Sequence, residues 1–231
     1  MQRINLFCFP YAGASSMIYA KWKNNILKYI DILPVELAGR GRRFNDPFYN
    51  SIDEAVDDIY NSIKKVIDES PYALFGHSMG AVIVYELYYK LREHGHNIPE
   101  HIFLSGRGPS FKPSEENIHN LKDEEFLKKV MEYGGTPDEV ANNKELLDFF
   151  LPILRADFKM INLYSSIKRD EKIISNTTVL TGKSDATIKE DIGKWSEYIS
   201  GEFELVTFDG GHFFIHNNEE KILSIIKRKL S

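Results

Sequence analysis

The sequence predicts an α/β fold: a mostly parallel central sheet flanked by helices, with one helical insertion. Three observations carry this expectation. Short apolar segments bounded by turn residues alternate with segments whose apolar residues repeat at helical spacing. One stretch, Pro113 to Arg169, breaks the alternation with helical pieces and no convincing strand. Between a strand and a helix lies Gly76-His77-Ser78-Met79-Gly80, a G-x-S-x-G pattern.

The strands are expected at Ile4 to Phe9, Asp31 to Val35, Tyr72 to Phe75, His101 to Ser105, Thr177 to Thr181 and Phe203 to Phe208, each rich in β-branched or aromatic residues. The clearest helix runs from Ser51 to about Asp68. There Ile52, Ala55, Val56, Ile59, Ile63, Val66 and Ile67 form an apolar stripe, and Ser51 with Glu54 forms a capping box. A second helix follows Ser78, and its run Ala81-Val82-Ile83-Val84-Tyr85 implies burial on most sides. Ile222, Leu223, Ile225, Ile226 and Leu230 mark a last amphipathic helix. Strands alternating with helices of this length imply a parallel sheet covered on both faces.

The insertion, residues 113–169, divides into helices at Asp123 to Tyr133, at Thr136-Pro137, at Lys144 to Phe150 and at Leu154 to Ser165. Phe149, Phe150, Phe158, Met160 and Leu163 are more apolar than a solvated linker requires. They either pack together or form a lid or acyl-chain wall.

At 231 residues the chain suits one domain, 1–231, carrying that insertion. Its 42% hydrophobic and 27% charged residues are ordinary for a soluble protein, and no apolar run approaches the roughly 20 residues that span a bilayer. A net charge of −5 without a basic stripe argues against nucleic-acid binding. Cys8 is the one cysteine, so no internal disulfide forms. It reads as a buried strand residue in a cytoplasmic protein. A monomer is expected, because nothing in the sequence demands more.

The G-x-S-x-G pattern sits where a strand must turn sharply into a helix. Gly76 and Gly80 leave room for a strained serine backbone, and Ser78 becomes a candidate nucleophile at a helix N-terminus. A serine hydroxyl needs a base within hydrogen-bond reach. Of the seven histidines, His212 follows a strand in Phe208-Asp209-Gly210-Gly211-His212-Phe213-Phe214 and takes that role, with His216 as fallback. His77 should point away from Ser78. The third member, in the chain order Ser, Asp, His, is Asp185 just beyond Thr178-Val179-Leu180-Thr181, with Asp209 as rival. The Met79 N–H would hold a developing oxyanion, and the loop Pro10-Tyr11-Ala12-Gly13-Ala14 would add a second donor, Ala12 before Tyr11. These are the marks of a serine hydrolase of the α/β-hydrolase fold. No metal-ligand cluster stands out, and this chemistry needs no cofactor.

Taken together, the motifs resemble the type II, or external editing, thioesterases of nonribosomal peptide and polyketide synthesis, and the related medium-chain acyl thioesterase of fatty-acid synthesis. The resemblance spans the chain: Leu6-Phe7-Cys8-Phe9-Pro10-Tyr11-Ala12-Gly13, Gly39-Arg40-Gly41-Arg42-Arg43, the Ser78 elbow, Ser105-Gly106-Arg107, Leu151-Pro152-Ile153-Leu154-Arg155-Ala156-Asp157 and Gly210-Gly211-His212-Phe213-Phe214. It implies hydrolysis of acyl or aminoacyl groups from the phosphopantetheine arm of acyl or peptidyl carrier proteins, with a mobile helical lid. The chain departs from the family at Ala38, Ala14 and Asn162, where the family usually has Pro, Gly and an acidic residue. Arg40, Arg42, Arg43 and Arg107 either meet the phosphate of the arm or an acidic carrier surface, or are solvated and structural. Two other functions share the pattern: a general carboxylesterase or lipase on small esters, and a catalytically idle carrier-binding protein.

Overall fold

The computed structural model describes residues 2–109, 113, 116–134, 143–166, 169–188 and 192–231. Six strands, β1 (Ile4–Phe9), β2 (Ile30–Pro34), β3 (Tyr72–His77), β4 (His101–Ser105), β5 (Asn176–Gly182) and β6 (Phe203–Phe208), form one sheet. All five pairings are parallel, in the order β2-β1-β3-β4-β5-β6. The strands were legible as short segments rich in β-branched or aromatic residues. β1 shows why its run is unbroken: Phe7 and Phe9 belong to the core on one face of the sheet, Leu6 and Cys8 to the core on the other. A strand covered on both sides is mostly apolar, as from Leu6 to Phe9.

Helices α2 (Ile52–Glu69) and α3 (Met79–Glu93) cover the first face, while α1 (Trp22–Asn25), α6 (Phe214–Asn217) and α7 (Glu219–Lys229) cover the second. On α2 the buried residues are Ile52, Ala55, Val56, Ile59, Tyr60, Ile63 and Ile67. Each large aliphatic among them contributes roughly 1.5–3 kcal/mol relative to exposure. Val66, expected in that stripe, lies off it and is exposed. The expected capping box is shifted by one residue. Ser51 Oγ accepts from the Glu54 N–H at 3.1 Å, but Glu54 returns to the N–H of Asn50, at 2.7 Å, rather than to that of Ser51. On α3 the run from Met79 to Tyr89 is buried, as its unbroken apolar start implied.

Between β4 and β5 the described residues contain no strand. They form α4 (Asp123–Glu132) and α5 (Lys144–Leu163). The two helices expected at 144–150 and 154–165 are one 20-residue helix that runs through Pro152. An interior proline costs about 3 kcal/mol of helix propensity. Packing offsets it here: Leu151, Leu154 and Phe158 of α5 close a small core with Ile118, Phe126 and Val130. The helix expected at Thr136-Pro137 lies outside the described residues. Of the insertion's other apolar residues, Met160 is buried in the main core, whereas Phe149 and Leu163 are exposed. Phe149 stacks on Phe44 with centroids 5.6 Å apart. Asn162 is buried and its Oδ1 faces His119 Nδ1 at 3.0 Å, so an amide serves where the family's acid was expected.

This strand order has a functional corollary. The chain leaves β1 for β2 on one side and returns to β3 on the other, so the connections after β1 and β3 diverge. A crevice opens at their carboxyl ends, where open α/β sheets bind ligands.

Candidate functional site

Ser78 occupies that crevice. Its backbone, at φ 56° and ψ −113°, makes it the one non-glycine residue with positive φ among the described residues. Such strain costs on the order of 1–3 kcal/mol and needs surroundings that enforce it. The two glycines of the motif make the turn sterically feasible. A Cβ on Gly76 would lie 2.1 Å from Gly80 O, and one on Gly80 would lie 2.2 Å from Phe9 O. The Ser78 N–H donates to Ser105 O at 2.7 Å, so the end of β4 buttresses the elbow.

The predicted partners converge on Ser78. His212 Nε2 lies 2.9 Å from Ser78 Oγ, and His212 Nδ1 lies 2.8 Å from Asp185 Oδ2. The loops carrying acid and histidine touch, because a Cβ on Gly182 would meet Gly211 O at 2.4 Å and the Ser184 N–H donates to Gly210 O. Burial of Asp185 opposes its charge. The hydrogen bond and attraction from His212, with two bonds from Thr187, outweigh burial and hold the carboxyl below the usual carboxylate range.

The other candidates make other contacts. Asp209 is exposed and paired with Lys183 at 2.6 Å. His216 Nε2 faces the Tyr11 hydroxyl at 3.0 Å. His77 does turn from the nucleophile: its Nδ1 meets Ser105 Oγ at 2.8 Å, fully buried. Burial, reinforced by His212 and His216, pushes its pKa well below the ordinary value, so it stays neutral beside the His212 ring.

Met79 opens α3, so its N–H lies in the turn that has no intrahelical acceptor. The loop after β1 faces this end of the sheet. Within it the Ala14 N–H closes a turn on Tyr11 O at 3.1 Å, and the Gly13 N–H is taken by Asp157 Oδ2 at 2.7 Å. Tyr11 packs its ring against His77 and Phe213, which joins this loop to the histidine loop.

Two arginines proposed for phosphate contact have other work. Arg40 is buried in a bidentate pair with Asp157, and Arg43 pairs with Asp46 and Asp58. Phosphate could not reach the buried Arg40 without breaking its pair, whereas Arg43 is partly exposed. Thr187 went unrecognised in the sequence, although an Asp-x-Thr tripeptide signals a side chain bonding its neighbour's backbone. Ser105 and Asp157 were noticed as parts of motifs but not as supports of the site. Among the described residues no three His, Cys, Asp or Glu side chains are grouped to hold a metal, and no helix is long and apolar enough to cross a membrane.

Known proteins match the chain along nearly its whole length. The chain is 35% identical over 230 residues to the Brevibacillus parabrevis protein named linear gramicidin dehydrogenase LgrE, covering 97% of this chain and 87% of the relative. Here, however, β1 runs into Pro10-Tyr11-Ala12-Gly13 rather than a dinucleotide-binding Gly-x-Gly-x-x-Gly turn. The structure of ClbQ, from the colibactin NRPS/PKS pathway, matches with a TM-score of 0.93 at 30% identity over 99% of this chain and 97% of ClbQ. That of BorB, a type II thioesterase from the borrelidin biosynthetic cluster, matches with a TM-score of 0.89 at 31% identity over 99% and 93%. Residues 4–230 match the model of the thioesterase domain family. A serine elbow in the crevice of a parallel sheet, matched along nearly its whole length by that family, places the chain in it: the protein belongs to the thioesterase domain family, hydrolases that act on thioesters.

Proposed function

We propose that this thioesterase removes acyl or aminoacyl groups from the phosphopantetheine arm of acyl or peptidyl carrier proteins, clearing misprimed or stalled intermediates of nonribosomal peptide or polyketide synthesis. The observation that carries the reading is the unbroken chain from Ser78 Oγ through His212 to Asp185, with links of 2.9 and 2.8 Å. The likeness to BorB and ClbQ supports the biosynthetic setting.

In this reading Ser78 Oγ attacks the thioester carbonyl as its proton passes to His212 Nε2. Asp185 fixes the histidine tautomer and stabilises the imidazolium. The N–H groups of Met79 and Ala12 hold the oxyanion. The C–S bond then breaks, and the thiol leaves with the proton from His212. Water, activated by the same histidine, attacks the acyl-Ser78 ester, frees the acid and restores the hydroxyl. No step calls for a metal or organic cofactor. The helical insertion serves as a lid over the crevice, and the enzyme acts as a cytoplasmic monomer.

The test is release of free acid from an acetyl-phosphopantetheinyl carrier protein by wild type and Ser78→Ala, beside acetyl-coenzyme A and a p-nitrophenyl ester. Ser78-dependent turnover that favours the carrier supports the proposal. Good ester turnover without carrier turnover would leave a general esterase, and no turnover with an unlabelled Ser78 would leave an idle binding protein.

A further inference from the structure

We infer that Asp157, on helix α5 of the insertion, is a positioning residue for the oxyanion loop, held in place by Arg40. The inference rests on the reading of Ala12 as an oxyanion donor.

The Asp157 side chain is fully buried, and its carboxylate gathers three donors: Arg40 Nη1 at 2.5 Å, Arg40 Nη2 at 2.6 Å and the Gly13 N–H at 2.7 Å. Arg40, itself buried, also donates to Ala14 O at 3.3 Å. The pair therefore grips the loop twice, at the N–H of Gly13 and at the carbonyl of Ala14. One turn earlier on the same helix, Leu154 sits so close that a Cβ on Gly13 would lie 2.4 Å from its Cδ2. Residues three apart share a helix face, so one face of α5 supplies both an apolar and an ionic contact to the loop.

These contacts determine the direction of the Ala12 N–H. The Tyr11 carbonyl accepts from the Ala14 N–H. In a planar trans peptide that carbonyl and the Ala12 N–H point opposite ways. The following peptide, Ala12–Gly13, is fixed by Asp157. Both peptide planes flanking the Ala12 Cα are thus pinned, one by the turn and one by the insertion.

Stability alone is a poor reason for such a pair, because well-packed apolar replacements of buried ion pairs are often neutral or stabilising. Asp157 brings a carboxylate acceptor to the Gly13 N–H, and Arg40 neutralises a charge that would otherwise oppose the oxyanion nearby. Helix α5 therefore cannot leave the sheet without releasing the oxyanion loop, and access to Ser78 must open elsewhere in the insertion.

The deciding variant is Arg40→Met/Asp157→Leu, which removes both charges and keeps apolar bulk. The readouts are thermal melting, kcat and KM on p-nitrophenyl acetate, and inhibition by phenylboronic acid, which forms an anionic tetrahedral adduct with a nucleophilic serine. Loss of one oxyanion donor lowers kcat by about 10²–10³-fold. The expectation is a cooperative melt near that of wild type, kcat lowered by about 30-fold or more, KM within about threefold, and weaker boronate inhibition by a factor similar to the loss in kcat. A folded double variant with kcat within about threefold of wild type overturns the inference. Should that variant not fold, Asp157→Asn decides by the same split between kcat and KM. Ser78→Ala separates the two readings: turnover that survives it defeats the nucleophile assignment, whereas turnover lost there but kept in the double variant defeats only the role of Asp157.

Discussion

Thr187 donates both its hydroxyl, at 2.6 Å, and its backbone N–H, at 2.9 Å, to Asp185 Oδ1. The other carboxylate oxygen is left for His212 Nδ1, and Thr187 Oγ1 is itself 2.9 Å from that nitrogen. The threonine thus holds one carboxylate oxygen and leaves the other facing the imidazole. Thr187→Val keeps the shape and the N–H but removes the hydroxyl. A hydrogen bond to a charged group contributes about 1.5–3 kcal/mol, so kcat is expected to fall by about 10- to 100-fold, with Thr187→Ser restoring most of it.

The same contact predicts a pH signature in stability. The folded Asp185 carboxyl is held below its unfolded value, so its stabilisation is present above about pH 3.9 and is lost as pH falls through the folded value. The melting temperatures of wild type and Thr187→Val should differ at pH 7, and the gap should shrink as pH falls below about 3.9. A gap that persists undiminished in acid would count against a charge-linked role.

Asp185→Asn presents the wrong hydrogen-bonding partner to His212 Nδ1, and a drop in kcat of about 10⁴-fold is expected. Asp209→Asn, at an exposed surface pair, should leave kcat within about twofold. Steady-state rates on one ester substrate suffice to compare them, and equal losses would return the acid's role to dispute.

Gly80→Ala sets two effects against each other. Inside a helix the change ordinarily stabilises by about 1 kcal/mol. Here the new Cβ would lie 2.2 Å from Phe9 O, a backbone atom of a central strand that cannot step aside. The clash wins, and lower melting temperature and poor labelling of Ser78 by a fluorophosphonate are expected.

Buried histidines give the opposite pH trend from a salt-bridged base. Burial pushes His77 well below 6.5 and His101 to about 4, while the unfolded chain protonates both near 6.5. The unfolded state then binds more protons, so stability falls as pH drops below about 6.5. His101→Gln should flatten the decline in melting temperature between pH 7 and pH 5.

Much of this site was legible because its signals are local. Ser78 lies in a five-residue motif, and His212 and Asp185 each follow a strand of simple pattern, so chain order alone placed them. The supports of the site were hidden for the converse reason. Arg40 and Asp157 are 117 positions apart, and although each lies in a recognised motif, no local pattern pairs them until the fold brings them together. Pro152 misled as well, since the local rule that ends a helix yielded to packing against Phe126 and Val130. Glu54 bonded Asn50 instead of Ser51 because a capping side chain can reach either N–H, and only geometry chooses.

Because all five strand pairings are parallel, the loops after β1, β3, β5 and β6 that carry the site emerge from one rim of the sheet. At the opposite rim, the turn at Gly95 lies between α3 and β4, and a Cβ there would meet nothing within 4 Å. An affinity tag or fluorophore grafted at Gly95 would stand a whole strand length from Ser78. That geometry offers a handle for immobilising or tracking the enzyme without touching its chemistry.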